Sequence, residues 1–219
     1  MSGEQPLNVV AIKVGPLAEN AYIVWNPACG CSVIVDPGEE GERIYRILEE
    51  RKLTLEKILV THGHFDHVGG VRYLKGQTGA AVCIHEADAG LMRNASLQGA
   101  MFGLSVSEPP LPDVFLKEGD IVSLADQELL VLHTPGHTPG HVTFLSGGMA
   151  FVGDLIFAGS IGRTDLPGGS YETLLRSVRE KIFTLAPETI LFSGHGPSTT
   201  VEEEMRDNPF FAGEMALKP

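Results

Sequence analysis

Between Leu59 and Gly70 the chain reads LVTHGHFDHVGG, which places three histidines and an aspartate within six residues at the end of a short apolar run. An apolar run that releases ligand-type side chains at its end reads as a buried strand with a site at its mouth, and this constrains the fold more than any other stretch. In an extended segment, residues two apart point the same way, so His62 and His64 can reach one ion together. Asp66 and His67 follow after a turn and can face a second ion. Imidazole suits zinc, iron, nickel and copper, while a carboxylate can bridge ions or take a harder one. Two ions need more than these four ligands, so the cluster predicts partners further along.

Later stretches supply them. LHTPGHTPGH carries His133, His137 and His141 at intervals of four, a spacing that would align them on a helix. Pro135, Gly136, Pro139 and Gly140 forbid that helix. The stretch reads instead as a tight loop between two strands, with His133 closing one, His141 opening the next and His137 at the tip as the ligand. FVGDLIF ends a strand on Gly153 and Asp154, and LFSGHGPS ends another on His195; in both, glycine lets the backbone turn close to an ion. His85, followed by Glu86, Ala87 and Asp88, reads as a structural residue at a helix start.

The surrounding pattern places these strand ends. LNVVAIKV, AYIVWN and CSVIVD, separated by Gly, Pro and Asn, read as an antiparallel meander. Residues 42–52 hold Ile44, Ile47 and Leu48 at helical spacing before EKILVT resumes as a strand, so the opening cluster closes a strand–helix–strand unit. A short helix over 71–77 and a strand at AAVCIH follow. Residues 86–113, irregular apart from a helix near 87–93, read as a cover or lid. The last third holds strands at DIVSL, ELLVLH, HVTFLS, MAFVGD and ETILFS, a helix over 171–185 and another from about Thr200. Strands in both halves, with helices between and after them, predict an α+β fold of two facing sheets covered by helices. With 219 residues and no linker or repeat, 1–219 reads as a single domain.

A net charge of −12 without a run of Lys and Arg argues against nucleic acid as a partner. No apolar run approaches the roughly 18 residues of a membrane span. MSGEQPLNVV lacks the basic and apolar regions of a signal peptide, so a cytoplasmic location is expected. Three cysteines, Cys29, Cys31 and Cys83, fit a reducing compartment, with Cys29 and Cys31 flanking a plain turn.

The order THGHFDH, TPGHTPGH, VGD and SGHG resembles the metallo-β-lactamase superfamily from about Leu7 onward and, within it, the glyoxalase II-like hydrolases. The resemblance implies an αββα sandwich, two mixed β-sheets flanked by helices, with a dinuclear site at one edge. It implies that His62, His64 and His137 hold the first metal, that Asp66, His67 and His195 hold the second, and that Asp154 bridges them. Two Zn2+ ions are the leading expectation, with Fe or Mn accepted by the same ligand types. The implied substrate is a small-molecule thioester, an S-2-hydroxyacyl-glutathione such as S-lactoylglutathione. A metal-bridging hydroxide would attack its carbonyl, while Asp66 orients the hydroxide and takes up its proton in transit. GSIGRTDLPGGSYETLLRS is similar to the small bacterial branch of that group, and its Arg163 is expected to bind an anionic substrate group. Longer glyoxalase II proteins carry a C-terminal helical domain with glutathione-binding groups, which this chain is expected to lack.

The same motifs also resemble persulfide dioxygenase, in which His62, His137 and Asp154 would hold a single Fe(II), and lactone hydrolases, which differ in the pocket. β-Lactam hydrolysis is disfavoured because those enzymes generally lack the bridging aspartate. A non-catalytic binding module is disfavoured because all seven ligand positions are filled.

Overall fold

Alternation along the strands dictates the layering. In the computed structural model, which describes residues 6–211, the first sheet runs in chain order: β1 (Asn8–Val14), β2 (Glu19–Trp25), β3 (Cys31–Val35), β4 (Thr54–Leu59), β5 (Ala81–His85) and β6 (Val114–Leu116). Its first three strands are antiparallel, and β3 to β6 are parallel. The second sheet contains β7 (Ile121–Leu124), β8 (Gln127–His133), β9 (Val142–Ser146), β10 (Met149–Gly153), β13 (Ile190–Ser193) and β14 (Thr199–Thr200), in the order β14-β13-β10-β9-β8-β7. Only β10 and β13 pair in parallel there. A small hairpin, β11 (Ile156–Phe157) with β12 (Ser160–Ile161), follows the end of β10.

Tyr22, Val24, Val33 and Val35 point inward and meet Val131, Val142, Phe144 and Phe151 of the facing sheet. Their neighbours Ile23 and Ile34 point outward, where Ile44 and Leu48 of α1 (Gly41–Glu50) and Val71 and Leu74 of α3 (Val71–Thr78) cover them. On the other outer face Ala150, Val152 and Leu191 pack under Leu174, Val178 and Ile182, with Val201 of α7 (Val201–Asp207). Both faces of each central strand are thus buried, and the apolar periodicity of two is resolved into an αββα sandwich. The chain therefore has the expected α+β architecture, two mixed sheets flanked by helices. Among the described residues no helix is long and apolar enough to cross a membrane.

Several local expectations are corrected. Cys29 and Cys31 are joined by a disulfide rather than flanking a plain turn; the turn holds their Cα atoms 5.3 Å apart, within bridging range. Cys83 is a buried free thiol. The stretch 86–113 is more regular than expected: a 3-10 turn over Glu86–Asp88 leads into α4 (Ala89–Arg93), and α5 (Ala95–Met101) follows. The helix α5 escapes a search for large apolar residues because the face it buries is Ala95 and Gly99, four apart. A Cβ on Gly99 would lie 2.5 Å from Cγ2 of Val106, so the packing itself requires a small residue. The helix expected over 171–185 is α6 (Tyr171–Ser177), which continues as a π-helical segment to Ile182. His85 caps the 3-10 turn by accepting the Ala87 amide at 3.2 Å, the structural role its position suggested.

Candidate metal centre

One edge of the sandwich collects the ends of four strands. β4 releases His62 and His64, and the single turn α2 (Phe65–Val68) starts immediately, so Asp66 and His67 swing round to the same side. The β8–β9 loop brings His137, β10 ends at Asp154, and β13 ends at His195. All seven residues converge.

They form two clusters. His62, His64 and His137 place their ring nitrogens together: Nε2 of His137 is 3.2 Å from Nε2 of His62 and 2.9 Å from Nδ1 of His64. Tetrahedral ligands at 2.0–2.1 Å from zinc would stand ~3.3 Å apart, so this spacing fits three lone pairs aimed at one cation. Asp66, His67 and His195 form the second cluster, with Nε2 of His195 at 3.2 Å and Nε2 of His67 at 3.8 Å from the Asp66 carboxylate. Asp154 lies between the two. Its Oδ1 is 3.4 Å from His67, and its Oδ2 is 3.7 Å from His137 and 3.8 Å from His195.

Tautomers follow from the bonds behind the rings. Nδ1 of His137 donates to the Arg163 carbonyl at 2.7 Å, leaving the Nε2 lone pair facing the cluster. The Thr61 hydroxyl donates to Asp36 at 2.6 Å and accepts from Nδ1 of His62 at 3.0 Å, so Nε2 of His62 is likewise unprotonated. Nδ1 of His67 donates to Asp36 at 3.0 Å. Among the described residues Nε2 of His67 and Oδ1 of Asp154 are buried with no hydrogen-bond partner, the state expected of groups placed to coordinate. The donor set of imidazoles and carboxylates therefore fits bound divalent metal.

Electrostatics point the same way. Burial, with His67 and His137 nearby, pushes His62 well below the ordinary imidazole value, and burial with His137 lowers His64 to about 4. Both are therefore neutral at physiological pH, the form in which imidazole can bind a metal. Burial alone would raise the Asp154 carboxyl, but His67, His137 and His195 hold it below the usual carboxylate range. Burial alone would lower His67, but Asp154, Asp66 and Asp36 raise it far above the usual value. Among the described residues the ion-pair partners of Asp66 and Asp154 are all imidazoles, a concentration of acceptors that a cation would satisfy.

The supporting residues were not singled out in the sequence. Asp36, at the end of β3, accepts from the Thr61 amide at 2.7 Å, the Thr61 hydroxyl and His67, so it braces His67 directly and His62 through Thr61. Asp36 also lies close enough to His62 and His67 to form a third trio, but its oxygens are already engaged by these donors. The strand ending CSVIVD carries the same signal that identified Asp154. Asp88, fully buried, accepts from the Gly63 amide at 2.9 Å, the Thr138 hydroxyl at 2.6 Å and the Gly140 amide at 2.7 Å. It ties the loop bearing His62 and His64 to the loop bearing His137. Asn20 and Tyr22 donate to the Ser193 carbonyl, and Asn20 also to that of Gly196, which pins the loop of His195. His141 opens β9, stacks on His62 at 5.4 Å and bonds Thr134, outside both clusters. Gly194 is required for close approach: a Cβ there would stand 2.4 Å from Oδ1 of Asp154. Arg163 lines the cleft above the clusters, but its guanidinium is paired with Asp165 at 2.8 and 2.9 Å.

The low value of His64 gives a pH test on chelator-treated protein. Its folded value near 4 lies below the ordinary 6.5, so between those pH values the unfolded chain binds the extra proton. Its contribution to stability is complete above pH 6.5 and is lost as pH falls towards 4. Wild type should therefore lose more stability across that window than His64→Asn, by up to about 1.4 kcal/mol per pH unit, as read from urea midpoints.

A strand-edge assembly of a three-histidine cluster and an Asp/His cluster, with one aspartate between them, defines a metal-binding protein of the metallo-hydrolase class. The chain belongs to the metallo-beta-lactamase superfamily, whose family pattern it matches over residues 14–195. It is 41% identical over 208 residues to the hydroxyacylglutathione hydrolase GloC of Haemophilus influenzae, covering 93% of this chain and 98% of that one. Among solved structures, the BLEG-1 B3 metallo-beta-lactamase is 36% identical with a TM-score of 0.89, covering 94% of this chain and all of that one. TTHA1623 in a di-iron-bound form is 42% identical with a TM-score of 0.86, covering 92% of this chain and all of that one.

Proposed function

We propose that the protein is a dinuclear metal-dependent thioesterase, with an S-2-hydroxyacyl-glutathione such as S-lactoylglutathione as the first substrate to test. One observation carries this reading: Asp154 reaches both clusters, with His67 on one side and His137 on the other. His62, His64 and His137 would hold one ion and Asp66, His67 and His195 the other, with Asp154 placed to serve both. Two ions, zinc first among candidates and iron supported by the di-iron neighbour, would supply a water acidified to near neutral pH and a polarised carbonyl.

The chain's own groups do the rest. Asp66 lines the cleft and accepts the proton of the attacking water while orienting its lone pair towards the thioester carbon. As the C–O bond forms, the carbonyl π-electrons move to oxygen; their return expels sulfur as a thiolate, which needs little acid assistance. The proton taken up by Asp66 passes to the thiolate, which restores the carboxylate, so the products are a carboxylic acid and a thiol. Arg163 would have to exchange Asp165 for a substrate anion to take part.

The similarity to a B3 metallo-beta-lactamase makes β-lactam opening the second reading, because the same centre could attack an amide carbonyl. Elemental analysis of the purified protein, combined with assays on S-lactoylglutathione, glutathione persulfide and a β-lactam, separates the possibilities. About two ions per chain with thioester turnover is the expected result. One iron with oxygen uptake on the persulfide would establish the dioxygenase alternative instead, and β-lactam turnover without thioester turnover would establish the second reading.

A further inference from the structure

The cleft over the metal centre, about 570 Å³, is chemically one-sided. Its floor is His64, Asp66, His137, Asp154 and His195, while its walls are Leu17, Phe65, Met101, Phe102, Leu166 and Pro167. Leu17 comes from the β1–β2 turn, Met101 and Phe102 from the end of α5, and the last two from the segment before α6. Phe102 lies against Phe65 at 5.3 Å yet remains 59% exposed, and Met101 is 86% exposed. Large apolar side chains left open to water at the rim of a reactive centre are a binding surface rather than core.

Polar groups on these walls are already engaged. Gln98 donates to the Leu91 carbonyl at 2.7 Å, and the Arg163 guanidinium is held by Asp165 through two bonds. Among the described residues Arg163 is the one Lys or Arg lining the cleft. Glutathione presents two carboxylates and an ammonium, whereas among the described lining residues the one Lys or Arg is already paired with a carboxylate. An acyl chain or an aromatic ring, in contrast, would exchange water for apolar contact on several sides while its carbonyl reached the floor.

We infer that this cleft selects its substrate by an apolar acyl group, a medium-length alkyl chain or an aryl ring seated between Leu17, Met101, Phe102 and Leu166, rather than by the charged ends of the thiol. The inference rests on the thioester reading for its kinetic test but not for its binding test. In the kinetic test, glutathione thioesters from S-acetyl to S-octanoyl are compared with S-lactoylglutathione. We expect kcat/KM to rise about two- to fourfold per added methylene until the cleft is filled, and the longer acyl groups to exceed lactoyl. Met101→Gln and Phe102→Ser, both at exposed positions, flatten the slope. Leu97→Gln, on the outer side of α5 and outside the cleft, leaves it unchanged.

In the binding test, calorimetry follows S-methyl- to S-hexylglutathione, thioethers that cannot be hydrolysed. Affinity should climb with chain length, again about two- to fourfold per methylene, and Met101→Gln should flatten the climb. A series with no slope in binding, or a lactoyl thioester preferred over every longer acyl group, overturns the apolar subsite. If no thioester is cleaved but the binding slope persists, thioester hydrolysis fails and the apolar subsite stands. If S-lactoylglutathione turns over and the binding series is flat, the apolar subsite fails and hydrolysis stands.

Discussion

Asp154→Ala should lower kcat/KM for a hydrolysed thioester by more than about 10³-fold, beyond the roughly 10²–10³ typical of losing one oxyanion donor. It should also reduce the metal retained after gel filtration. The reason is geometric. Both oxygens of this carboxylate face imidazoles of different clusters, and Oδ1 has no hydrogen-bond partner to anchor it elsewhere. Removing it therefore takes a donor from both clusters at once, whereas His195→Ala would take a donor from one. Asp154→Asn keeps the shape but loses the charge, and it distinguishes a ligand from a packing group: a ligand role requires Asn to lose metal nearly as completely as Ala. Unchanged turnover and metal content in either variant would refute the assignment.

Asp88→Asn is the second large effect, and it acts without touching the centre. Three donors converge on this buried carboxylate, and an amide group can accept at only one of its two heavy atoms, so at least one N–H or O–H meets an N–H. The two loops it joins carry His62 and His64 on one side and His137 on the other, the three members of a single cluster. Metal affinity at that cluster should fall about 10–100-fold, as for other residues that orient ligands. The Asp66, His67 and His195 cluster, which Asp88 does not contact, should keep its affinity. Stepwise metal titration of chelator-treated protein checks this, since only the cluster braced by Asp88 should weaken. A uniform loss at both clusters would indicate general destabilisation, which leaving buried donors unpaired costs at about 1–3 kcal/mol.

Metal removal provides a further check on the whole centre. Adding zinc to chelator-treated protein should raise the unfolding midpoint, because an ion that binds only the folded arrangement stabilises it by mass action, about 2.7 kcal/mol at a hundredfold excess over Kd. In a variant with both His62 and His67 replaced by alanine this gain should vanish.

Most of the fold was legible because its strands are buried on both faces or alternate cleanly. Ile23 between Tyr22 and Val24, and Ile34 between Val33 and Val35, require two apolar environments, one on each side of a sheet. Elements stabilised by other means were hidden. The helix α5 buries Ala95 and Gly99, which carry no hydrophobic periodicity, and β6, β11, β12 and β14 are too short to show alternation. The Cys29–Cys31 bond was also hidden, since pairing depends on how the turn brings their Cα atoms together.

The sequence by itself determined the candidate ligand types and their places at strand ends, because four such residues fall between His62 and His67 and three further strand or loop ends, at His137, Asp154 and His195, complete the set. It also determined that His137 sits on a loop, since Pro135 and Pro139 exclude a helix there. Only the tertiary structure decided which residues hold those ligands in place. Asp36 and Asp88 reach partners 25 and 52 positions away, His67 and Arg163 meet their neighbours across separate strands, and hydrogen bonds of such long sequence separation leave no local pattern. The tertiary structure also decided the character of the cleft. Leu17, Met101, Phe102 and Leu166 are scattered along the chain, and each alone is an ordinary surface residue. They become one apolar wall only when the sandwich edge brings three loops together above the metal centre.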